Sequence, residues 1–554
     1  MPGQMSSSFA AAAMGTPAWY CPETGVYSSR HNPVDLPSDP FLDLPTYVLA
    51  RPHGGTTALV DAPSGLSISY PQLRRMVGSV AAGLRRMGIS SKDVVLILLP
   101  NSVFFPVVFL GVLSAGAVAT AMNPLSSPEE MKRQVRDSGA VLAFANPKNV
   151  GRLGKVGIRV VEVPEGAVSG LWEDSEFGRI LSCDHQDGSP RPVIRQEDTA
   201  AVIYSSGTTG SSKGALITHG NFIAMVELFV RLFVSLETVA AWENVYLAAL
   251  PMFHIFGLSL FSVGLLSLGS VVVVMPRFDV EDAVRAIDRY KVTHFHCVPP
   301  ILVALTRVGS GAASALSSLK QVFCGAAPLS ERKIEAFLGR FPHVDFLQGY
   351  GMTETTAVGA VGLNTEKMKK YTSVGLLAPN TQAKVVHWQS GLCMPFGDDG
   401  ELWLRGPSVM KGYLNNDSAT TLTIDGDGWL RTGDIAHFDE DGYLYIVDRL
   451  KDTIKYKGYQ IAPADLEAVL VSHPDVLDVA VTSIPDEEAG EIPVAFVVRK
   501  PGSKLSSAQV INHLASQVAP YKKVRKVVFV ETLPRSPAGK ILRRLLRSHP
   551  DSKL

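Results

Sequence analysis

One glycine-rich stretch, Tyr204–Gly214, has the composition that a phosphate-binding loop needs. Its sequence, YSSGTTGSSKG, holds glycines, hydroxyl residues and one lysine, Lys213, and it follows an apolar run that predicts a buried strand, Thr199–Tyr204. Backbone N–H groups freed by glycines can wrap an anion together with hydroxyls and one ammonium group. A flexible glycine–serine linker is the alternative that composition alone leaves open.

The spacing within this stretch argues against the best-known nucleotide-binding loop. That loop reads G-x-x-x-x-G-K-[ST], whereas Lys213 is preceded here by Ser212 and followed by Gly214. Another kind of nucleotide or anion site is still compatible with the residues, and the rest of the chain must decide.

Length, charge and cysteine content narrow the class of protein. A chain of 554 residues exceeds one compact core, so at least two domains are expected. Lysine plus arginine total 52, as do aspartate plus glutamate, so the formal charge is zero and gives no electrostatic case for nucleic-acid binding. Five scattered cysteines without a C-x-x-C pair predict a reducing compartment, with neither a disulfide framework nor a zinc site.

Two uncharged apolar stretches, Val103–Met122 and Val245–Met275, are long enough to be compared with membrane spans. Prolines and glycines such as Pro106 and Pro251 interrupt both, so we predict a buried helix followed by a buried parallel strand in each. The chain is therefore not expected to be an integral membrane protein. The first 35 residues lack the pattern of a secretory signal and are expected to be a disordered lead-in.

The order of the remaining segments predicts an α/β architecture. Strand-like runs alternate with helix-length segments over the first 450 residues, which favours doubly wound α/β layers. Ligands bind at the carboxyl ends of strands in such sheets, and the glycine-rich stretch lies at one such end. The predicted strands are Val94–Leu99, Thr199–Tyr204, Val245–Leu250, Val271–Val274 and Gln321–Gly325, and the predicted helices include Ser126–Ser138 and Asp279–Val292.

The residue pattern of the sequence changes after about residue 395. Short alternating strands with glycine and Asp-Gly turns predict a β-rich subdomain, and strand–helix–strand material after Arg449 predicts a small α+β domain. We place the boundary near Lys451. The expected divisions are a lead-in (1–35), an N-terminal ATP- and acyl-binding domain (36–450), a mobile C-terminal lid domain (451–549) and a tail (550–554).

Six motifs in one order resemble those of the adenylate-forming superfamily, which includes acyl-CoA synthetases, luciferases and peptide-synthetase adenylation domains. The resemblance covers roughly residues 40–545 and is greatest to plant peroxisomal 4-coumarate:CoA ligase-like proteins. The motifs are YSSGTTGSSKG (Tyr204–Gly214), LPMFHIFG (Leu250–Gly257), QGYGMTE (Gln348–Glu354), RTGD (Arg431–Asp434), DRLKDTIKYKGYQIAP (Asp448–Pro463) and PRSPAGKILRR (Pro534–Arg544).

The resemblance implies an ATP-dependent ligase that joins a carboxylic acid to coenzyme A in two steps. The carboxylate attacks the α-phosphate of ATP to give an acyl-adenylate and pyrophosphate, and the coenzyme A thiol then displaces AMP. Because a carboxylate and a triphosphate repel each other, the protein must neutralise charge where it develops. ATP, coenzyme A and Mg²⁺ are the implied co-substrates and metal.

Family motifs assign the nucleotide site residue by residue. Glu354 would hold Mg²⁺, which prefers oxygen ligands and keeps waters and phosphates. Asp434 would accept hydrogen bonds from the ribose hydroxyls, and Arg449 would be a second contact to ribose and phosphate. The residues implied to contact ATP or AMP are Ser205, Ser206, Gly207, Thr208, Thr209, Lys213, Gln348, Gly349, Thr353, Asp434 and Arg449.

The same resemblance assigns catalytic, hinge and coenzyme A residues. Lys540 would bridge the attacking carboxylate and the α-phosphate, and His254 would gate the acyl pocket after the first step. Lys451 is the implied hinge, because two half-reactions need two arrangements around one site. The remaining implied residues are Lys455 and Gln460 for adenylation, and Lys457, Gly458 and Arg277 for coenzyme A.

The acyl pocket departs from that of 4-coumarate ligases. Phe323 stands where they usually have a lysine that can pair with the substrate's ring hydroxyl, and a buried hydroxyl without a partner costs about 1–3 kcal/mol. Gly359 replaces a leucine and is expected to deepen the pocket. We therefore expect an apolar acid, a fatty acid or a jasmonate precursor, with hydroxycinnamate as the alternative. The implied pocket residues are Phe256, Ser259, Phe323, Gly325, Ala326, Gly351, Ala357, Val358 and Gly359.

The chain ends in Ser-Lys-Leu, Ser552–Leu554, the tripeptide of a peroxisomal address read by an import receptor. The same tripeptide at Ser503–Leu505 has no free carboxylate and is expected to be silent. This favours the peroxisome over the cytosol, with phenylpropanoid, fatty acid or jasmonate metabolism as the context.

Two other functions fit the same motifs. A luciferase-like oxygenase could share both fold and tail, since a fold does not determine a function. A non-catalytic acyl-binding protein is disfavoured, because Lys213, Asp434 and Lys540 have no reason to persist together without catalysis.

Overall fold

The structure is a computed structural model that describes most of the chain. The described residues are 17–165, 174–183, 192–205, 212–232, 239–309, 312–327, 329–362, 369–456, 459–461, 463–486, 489–518, 520–536 and 539–549. For residues 312, 313, 455, 459, 460 and 490 the description covers the backbone alone.

Strands and helices alternate through the first part of the chain. The strands are β1 (Tyr20–Cys21), β2 (Val26–Ser28), β3 (Thr57–Asp61), β4 (Ser67–Ser69), β5 (Val94–Leu98), β6 (Val118–Ala121), β7 (Ala140–Ala145), β8 (Arg159–Glu162) and β9 (Thr199–Ser205). The helices are α1 (Leu44–Ala50), α2 (Tyr70–Arg86), α3 (Phe104–Ser114), α4 (Pro128–Ser138), α5 (Pro147–Gly154) and α6 (Glu176–Leu181).

The alternation continues to residue 350. The strands are β10 (Lys213–Thr218), β11 (Val245–Ala248), β12 (Val271–Val274), β13 (His294–Cys297), β14 (Gln321–Cys324) and β15 (Asp345–Tyr350). The α-helices are α7 (His219–Met225), α8 (Ile255–Gly257), α9 (Leu265–Ser267), α10 (Val280–Tyr290), α11 (Pro299–Thr306), α12 (Ala312–Ala315) and α13 (Glu331–Arg340). Two π-helical segments, Val226–Val230 and Leu258–Gly264, continue α7 and join α8 to α9.

Strands dominate the last part of the chain. They are β16 (Ala360–Val361), β17 (Leu376–Leu377), β18 (Gln382–Val386), β19 (Gly400–Arg405), β20 (Gly412–Tyr413), β21 (Leu430–Phe438), β22 (Leu444–Arg449), β23 (Ile454–Tyr456), β24 (Tyr459–Ile461), β25 (Val476–Asp486), β26 (Gly490–Arg499) and β27 (Lys526–Phe529). The helices are α14 (Asp417–Thr423), α15 (Pro463–Val471), α16 (Ser507–Ala515) and α17 (Arg543–Arg547).

Two mostly parallel sheets form the body of the protein, and the predicted α/β class is confirmed. One sheet has the strand order β20-β10-β9-β6-β5-β7-β8, and the other has β17-β16-β15-β14-β13-β11-β12-β3-β4. A single hydrophobic cluster includes residues from both sheets and from the wholly apolar helix α3. Within it, α3 approaches α2 closely because Gly111 has no side chain to meet Val80.

Local sequence signals explain where elements begin and end. Helix α4 starts at the capping box formed by Ser127 and Glu130, with Pro128 in the first turn, and it stops at Gly139, whose φ is 67°. The apolar stretch Val103–Met122 folds as the predicted buried helix and strand, α3 and β6. Among the described residues, no helix is both long and apolar enough to cross a membrane.

An antiparallel sheet with the order β1-β2-β18-β19-β21-β22 forms the β-rich subdomain. Its first two strands correct our expectation for residues 1–35, because Gln382 to Lys384 of β18 pair with Val26 to Ser28. Trp19 and Tyr20 also pack on this subdomain's hydrophobic cluster. Aromatic residues thus tie the segment from residue 17 onward to the sheet, while residues 1–16 lie outside the described part.

The residues after Arg449 form a separate sheet with its own hydrophobic clusters. Strands β23 to β27 form one five-stranded sheet, and its hydrophobic clusters contain described residues from Ile454 onward. Between this sheet and β22 lies a 3₁₀ turn, Leu450–Asp452, which contains Lys451. The Asp448 carboxylate before the turn accepts a hydrogen bond from Ala464 N at 2.9 Å, at the start of α15.

Candidate active site

The β9–β10 hairpin places the expected phosphate-binding residues beside the expected metal-binding carboxylate. Ser205 and Lys213 are paired across the two strands at the mouth of the loop. Ser205 Oγ donates to Glu354 Oε1 at 2.9 Å, and Lys213 Nζ lies 5.0 Å from the ring centre of Tyr413. The candidates Ser206, Gly207, Thr208 and Thr209 lie outside the described residues.

Glu354 is buried at the centre of this group, with 5% of its surface exposed. Its Oε1 atom also accepts a hydrogen bond from the Tyr413 hydroxyl at 2.9 Å. Burial and the Glu354 carboxylate raise the pKa of Tyr413, so the phenol stays protonated and keeps donating. The Oε2 atom has no donor among the described residues, which leaves one carboxylate oxygen for a cation.

Asp434 and Arg449 form a buried ion pair across β21 and β22. The two residues are directly opposite in the strand register, and Arg449 Nε lies 2.6 Å from Asp434 Oδ1. The Tyr350 hydroxyl donates to Asp434 Oδ2. Burial, together with Asp434, raises the pKa of Tyr350 well above its ordinary value. The expected ribose acceptor is therefore held rigidly from both sides.

Lys540 reaches this site from the C-terminal domain. Its pKa is lowered to about 8, mainly by burial and then by the charge of Arg449, while the carboxylates of Asp434 and Glu354 oppose the shift. The turn that carries Lys540 is closed by Ser536, which accepts from Lys540 N through Oγ and donates its own N–H to Lys540 O. Sequence motifs far apart in the chain thus meet around one volume.

The neighbouring Gly539 explains how this turn docks on the N-terminal domain. Its φ is 76°, a left-handed conformation that favours glycine, and an added Cβ would lie 3.2 Å from Pro300 Cδ. The turn therefore packs directly against the first turn of α11. This contact sets the arrangement in which Lys540 faces Arg449 and Asp434.

His254 follows β11 and faces the same volume. Its Nδ1 accepts a hydrogen bond from Phe256 N at 3.4 Å, so Nε2 carries the ring proton. Burial, and to a smaller extent the charge of Lys540, lowers the pKa of His254 to about 4, so the ring is neutral near pH 7. A neutral imidazole can donate through Nε2 to a substrate oxygen without adding charge.

Aromatic rings fill the expected acyl pocket around Phe323. Phe323 is 2% exposed, and its ring stacks on His296 with centres 5.2 Å apart. Phe256 and Phe229 contact the same ring from other sides, with centres 6.2 Å and 6.0 Å away. The sequence pattern gave no signal for Phe229 or His296, because they come from a π-helical segment and from β13, outside the six motifs.

Glycines bring the acyl and adenylate positions into contact with these rings. A Cβ on Gly349 would lie 2.2 Å from Phe323 Cζ, and a Cβ on Gly325 would lie 3.5 Å from Phe256 Cε1. The strand expected to line the adenylate, β15, therefore lies directly over the Phe323 ring. Ser259 is buried in the π-helical segment that follows α8, and its hydroxyl has no hydrogen-bond partner among the described residues.

The loops that follow β14 and β15 contain residues with strained backbone conformations. Ala326, Thr356 and Ala357 all have positive φ, at 71°, 52° and 67°. Non-glycine residues rarely adopt this conformation, and it concentrates at functional sites. Gly351 fits beneath the second loop because a Cβ there would lie 2.2 Å from Ala357 O.

The expected effect of Gly359 on the pocket is not what the structure shows. A Cβ at this position would lie 2.9 Å from Tyr350 Cδ1 and 3.4 Å from Leu404 Cδ1 of the β-rich subdomain. The glycine makes room for these neighbours, so it does not deepen a pocket beside Phe323. Its neighbour Val358 is buried in the main cluster, which includes Phe323.

The other candidates lie in β15, in the 3₁₀ turn that contains Glu354, just beyond β12 and in the β23–β24 hairpin. Gln348 is buried and donates through Nε2 to Tyr371 O at 2.7 Å, and Thr353 is buried in the 3₁₀ turn beside Glu354. Arg277 is exposed just beyond β12. Lys455 and Gln460 are paired residues of the β23–β24 hairpin, and the turn between them, with Lys457 and Gly458, lies outside the described residues.

Two family models match the two parts of the chain. The family model described as "AMP-binding enzyme" matches residues 48–414, and the one described as "AMP-binding enzyme C-terminal domain" matches residues 465–540. The chain is 57% identical to 4-coumarate–CoA ligase-like 3 of Oryza sativa subsp. japonica over 97% of this chain and 94% of that protein. It is 41% identical to peroxisomal OPC-8:0-CoA ligase 1 of Arabidopsis thaliana over 96% of this chain and 98% of that protein.

Solved structures give the same picture for the fold. ATP-bound MatB from Rhodopseudomonas palustris superimposes with a TM-score of 0.82 at 27% identity, covering 91% of this chain and 98% of that one. The anthranilate CoA ligase AuaEII in complex with anthranoyl-AMP superimposes with a TM-score of 0.81 at 25% identity, covering 93% of this chain and 98% of that one.

Proposed function

The chain belongs to the AMP-binding enzyme family and is an ATP-dependent, AMP-forming acid–CoA ligase of the 4-coumarate–CoA ligase-like type, and we propose that its substrate is an apolar acid. The acid is a medium- or long-chain fatty acid or a cyclopentanone-bearing jasmonate precursor. The observation that carries this proposal is the buried Phe323 ring, enclosed by Phe256, Phe229 and His296.

In the first step the acid's carboxylate oxygen attacks the α-phosphorus of ATP, and the bond to pyrophosphate breaks. We assign Lys540 to the developing charge between carboxylate and phosphate, because it reaches the volume beside Arg449 and Asp434. Asp434, fixed by Tyr350 and Arg449, accepts from the ribose hydroxyls. Preorganised charges of this kind stabilise a transition state without reorganisation.

The Glu354 site fits Mg²⁺. The oxygen left without a donor, Oε2, belongs to a buried carboxylate whose other oxygen is fixed by Ser205 and Tyr413, and hard oxygen ligands are what Mg²⁺ takes. When bound, the ion neutralises phosphate charge. Residues 206–209 and Lys213 then complete the phosphate site.

In the second step the thiol sulfur of coenzyme A attacks the acyl carbonyl, and AMP leaves. Lys540 has no role in this step. The C-terminal domain rotates about Lys451 and presents Lys457 and Gly458 to coenzyme A. Arg277 contacts the phosphates of coenzyme A. Lys455 and Gln460 belong to the arrangement of the first step. An exposed hinge between two separately packed clusters supports such a rotation.

The surroundings of Phe323 disfavour a hydroxycinnamate as the main substrate. The rings around it offer no charged donor to a phenol, so a 4-hydroxyl group buried there would lose its water without replacement. Methylene groups meet no such cost, and each one buried contributes about 0.8 kcal/mol, or about fourfold in catalytic efficiency.

A panel of acids tests the substrate proposal. Coenzyme-A-dependent AMP release is measured in the dark with saturated acids of eight to eighteen carbons, a cyclopentanone-bearing acid, cinnamate and 4-coumarate. We expect kcat/KM to rise several-fold per carbon until the pocket is full. A preference for 4-coumarate over all the other acids would overturn the substrate assignment, and light emission without acyl-CoA would favour the luciferase-like alternative.

Phe323→Lys tests the role of the ring within one variant. The ratio of kcat/KM for 4-coumarate to that for cinnamate should rise at least fivefold, because the ammonium group can pair with the ring hydroxyl. Phe323→Leu is the matched control, since it removes the ring without adding a donor and should leave the ratio unchanged. An equal rise in both variants would attribute the effect to space.

We also propose that Ser552–Leu554 directs the enzyme to peroxisomes through an import receptor. The tail lies outside the described residues, and the support is its sequence and the name of one relative, the peroxisomal OPC-8:0-CoA ligase. A fluorescent protein carrying residues 543–554 should be imported, and the same fusion without the last three residues should stay cytosolic. Diffuse fluorescence from both would refute the address.

A further inference from the structure

The buried side chain of Asn101 ties the end of one sheet to a loop of the other. Asn101 follows β5 and is 5% exposed. Its Nδ2 group donates to Leu250 O at 2.9 Å and to Ala248 O at 3.4 Å, and its Oδ1 atom accepts from Met252 N at 2.8 Å. Both ends of the amide are therefore used on one backbone segment.

That segment leads directly to His254. Two residues after Met252, His254 N donates to Pro251 O at 3.2 Å, and His254 O accepts from Leu258 N at 2.9 Å. Gly257 permits this tight course, because a Cβ there would lie 2.3 Å from Pro251 O. The place of the imidazole is therefore set by the backbone around it, and Asn101 holds the beginning of that backbone.

An amide is the side chain that fits these three partners. The two carbonyls require a donor and Met252 N–H requires an acceptor, which fixes the orientation of the Asn101 amide. Alanine would leave Leu250 O and Met252 N without this partner in a buried place, whereas Ala248 O would keep its bond from Met275 N at 3.1 Å. Buried backbone groups that lose a partner move to find another. A carboxylate would turn oxygen towards the carbonyl oxygens.

We propose that Asn101 is a positioning residue for His254, which it holds at the mouth of the acyl pocket by fixing the segment from Ala248 to Met252. The proposal rests on the proposed function, in which His254 gates that pocket. Asn101 itself touches neither substrate nor reacting atoms and lies outside the six motifs.

A double-mutant cycle of Asn101→Ala and His254→Ala tests the proposal. Adenylate formation is measured as acid-dependent pyrophosphate release, and transfer is measured with a supplied acyl-adenylate and coenzyme A. We expect Asn101→Ala to slow the two half-reactions in the same ratio as His254→Ala does, with at least a tenfold fall in the overall kcat. In the His254→Ala background, Asn101→Ala should add less than twofold.

Two further variants guard against a general loss of structure. Asn101→Ser keeps one donor and takes the place of Asn101→Ala in the cycle if the latter does not fold. Asn149→Ala is the matched control, because Asn149 is equally buried and bonds Pro124 O at 3.1 Å from α5. Its effect, if any, should multiply with that of His254→Ala.

Two outcomes would overturn the proposal in different ways. If His254→Ala slows catalysis and the effects of Asn101 and His254 multiply fully, Asn101 acts on the fold and not through His254, and the ligase assignment is untouched. If His254→Ala changes neither half-reaction, the gating role within the proposed function fails as well.

Discussion

At the scale of residues, Lys540 carries the charge that we assign to the first half-reaction. Its ammonium group interacts electrostatically with the carboxylates of Asp434 and Glu354 and with the guanidinium of Arg449, so its charge is sensitive to what binds between them. In the mechanism that we propose, this positive charge stabilises the phosphate charge that develops in the first step and has no such role once AMP is the leaving group.

Replacing Lys540 with alanine should therefore separate the two steps. We expect acid-dependent pyrophosphate release to fall at least a hundredfold, while transfer from a supplied acyl-adenylate to coenzyme A changes less than threefold. Single-turnover measurements of each step check this. Equal losses in both steps would contradict the assignment of Lys540 to adenylation.

The pKa of Lys540 gives a pH dependence with a definite sign. Burial lowers this pKa from 10.5 to about 8, so the ammonium form is present below pH 8 and is lost as pH rises through that value. The kcat/KM for ATP reports groups of the free enzyme, so it should fall about tenfold per pH unit above pH 8. Lys540→Arg keeps its charge and should lack this alkaline limb, at a lower plateau. A limb that persists in Lys540→Arg would assign it to another group.

Sequence motifs named the residues with distinctive chemistry but not their protein partners. Asp434 and Glu354 could be named from RTGD and QGYGMTE, yet the motifs did not show that the Tyr350 and Tyr413 hydroxyls fix their oxygens. Tyrosines are common in cores, and only the fold brings Tyr413 from β20 to Glu354. The sequence also could not show which neighbours Gly359 makes room for. That depends on where a Cβ at this position would point, which only the folded structure defines.

At the scale of elements, one ion pair joins β21 and β22 at the proposed nucleotide site. Asp434 and Arg449 are opposite each other in the register, and Asp434 is 2% exposed. Removing Asp434 would leave a partly buried guanidinium and a phenol without their acceptor, in addition to the loss of a ribose contact.

Asp434→Ala should accordingly raise KM for ATP at least tenfold and lower the free energy of unfolding by about 1–3 kcal/mol. Steady-state kinetics and urea unfolding measure the two effects. Asp465→Ala serves as control, because it breaks only the exposed pair with Lys522 at 2.9 Å and should cost less than about 1 kcal/mol with KM unchanged. An unchanged KM in Asp434→Ala would remove Asp434 from the ribose site.

Elements with strong local signals were predictable, and those set by tertiary packing were not. The capping residues of α4 and the run of β-branched residues in β12 allowed both elements to be predicted from the sequence alone. The π-helical segments Val226–Val230 and Leu258–Gly264 were not foreseen. They pack against each other where Gly264 would meet Val230 with a Cβ at 2.6 Å, and π-helical turns arise from such packing and have no propensity signal.

At the scale of the whole molecule, the C-terminal domain is docked in the arrangement that we propose for the first step. Gly539 lies against Pro300, Arg332 of α13 donates to Ser472 O at 3.0 Å, and Lys540 faces the nucleotide site. The 3₁₀ turn at Lys451 joins hydrophobic clusters that pack separately among the described residues. Domains with separate cores can rotate about the segment that joins them.

Stiffening the hinge should therefore leave the first step and remove the second. Lys451 is exposed within the turn Leu450–Asp452, and the φ of a 3₁₀ turn suits proline, so Lys451→Pro is compatible with the arrangement seen here. We expect pyrophosphate release to stay within threefold of the unmodified enzyme and acyl transfer to fall at least a hundredfold, the reverse of Lys540→Ala. Lys451→Ala removes the same charge without stiffening the chain and should preserve both steps. Equal losses of both steps in Lys451→Pro would show distortion of the turn, and full transfer activity would place the hinge elsewhere.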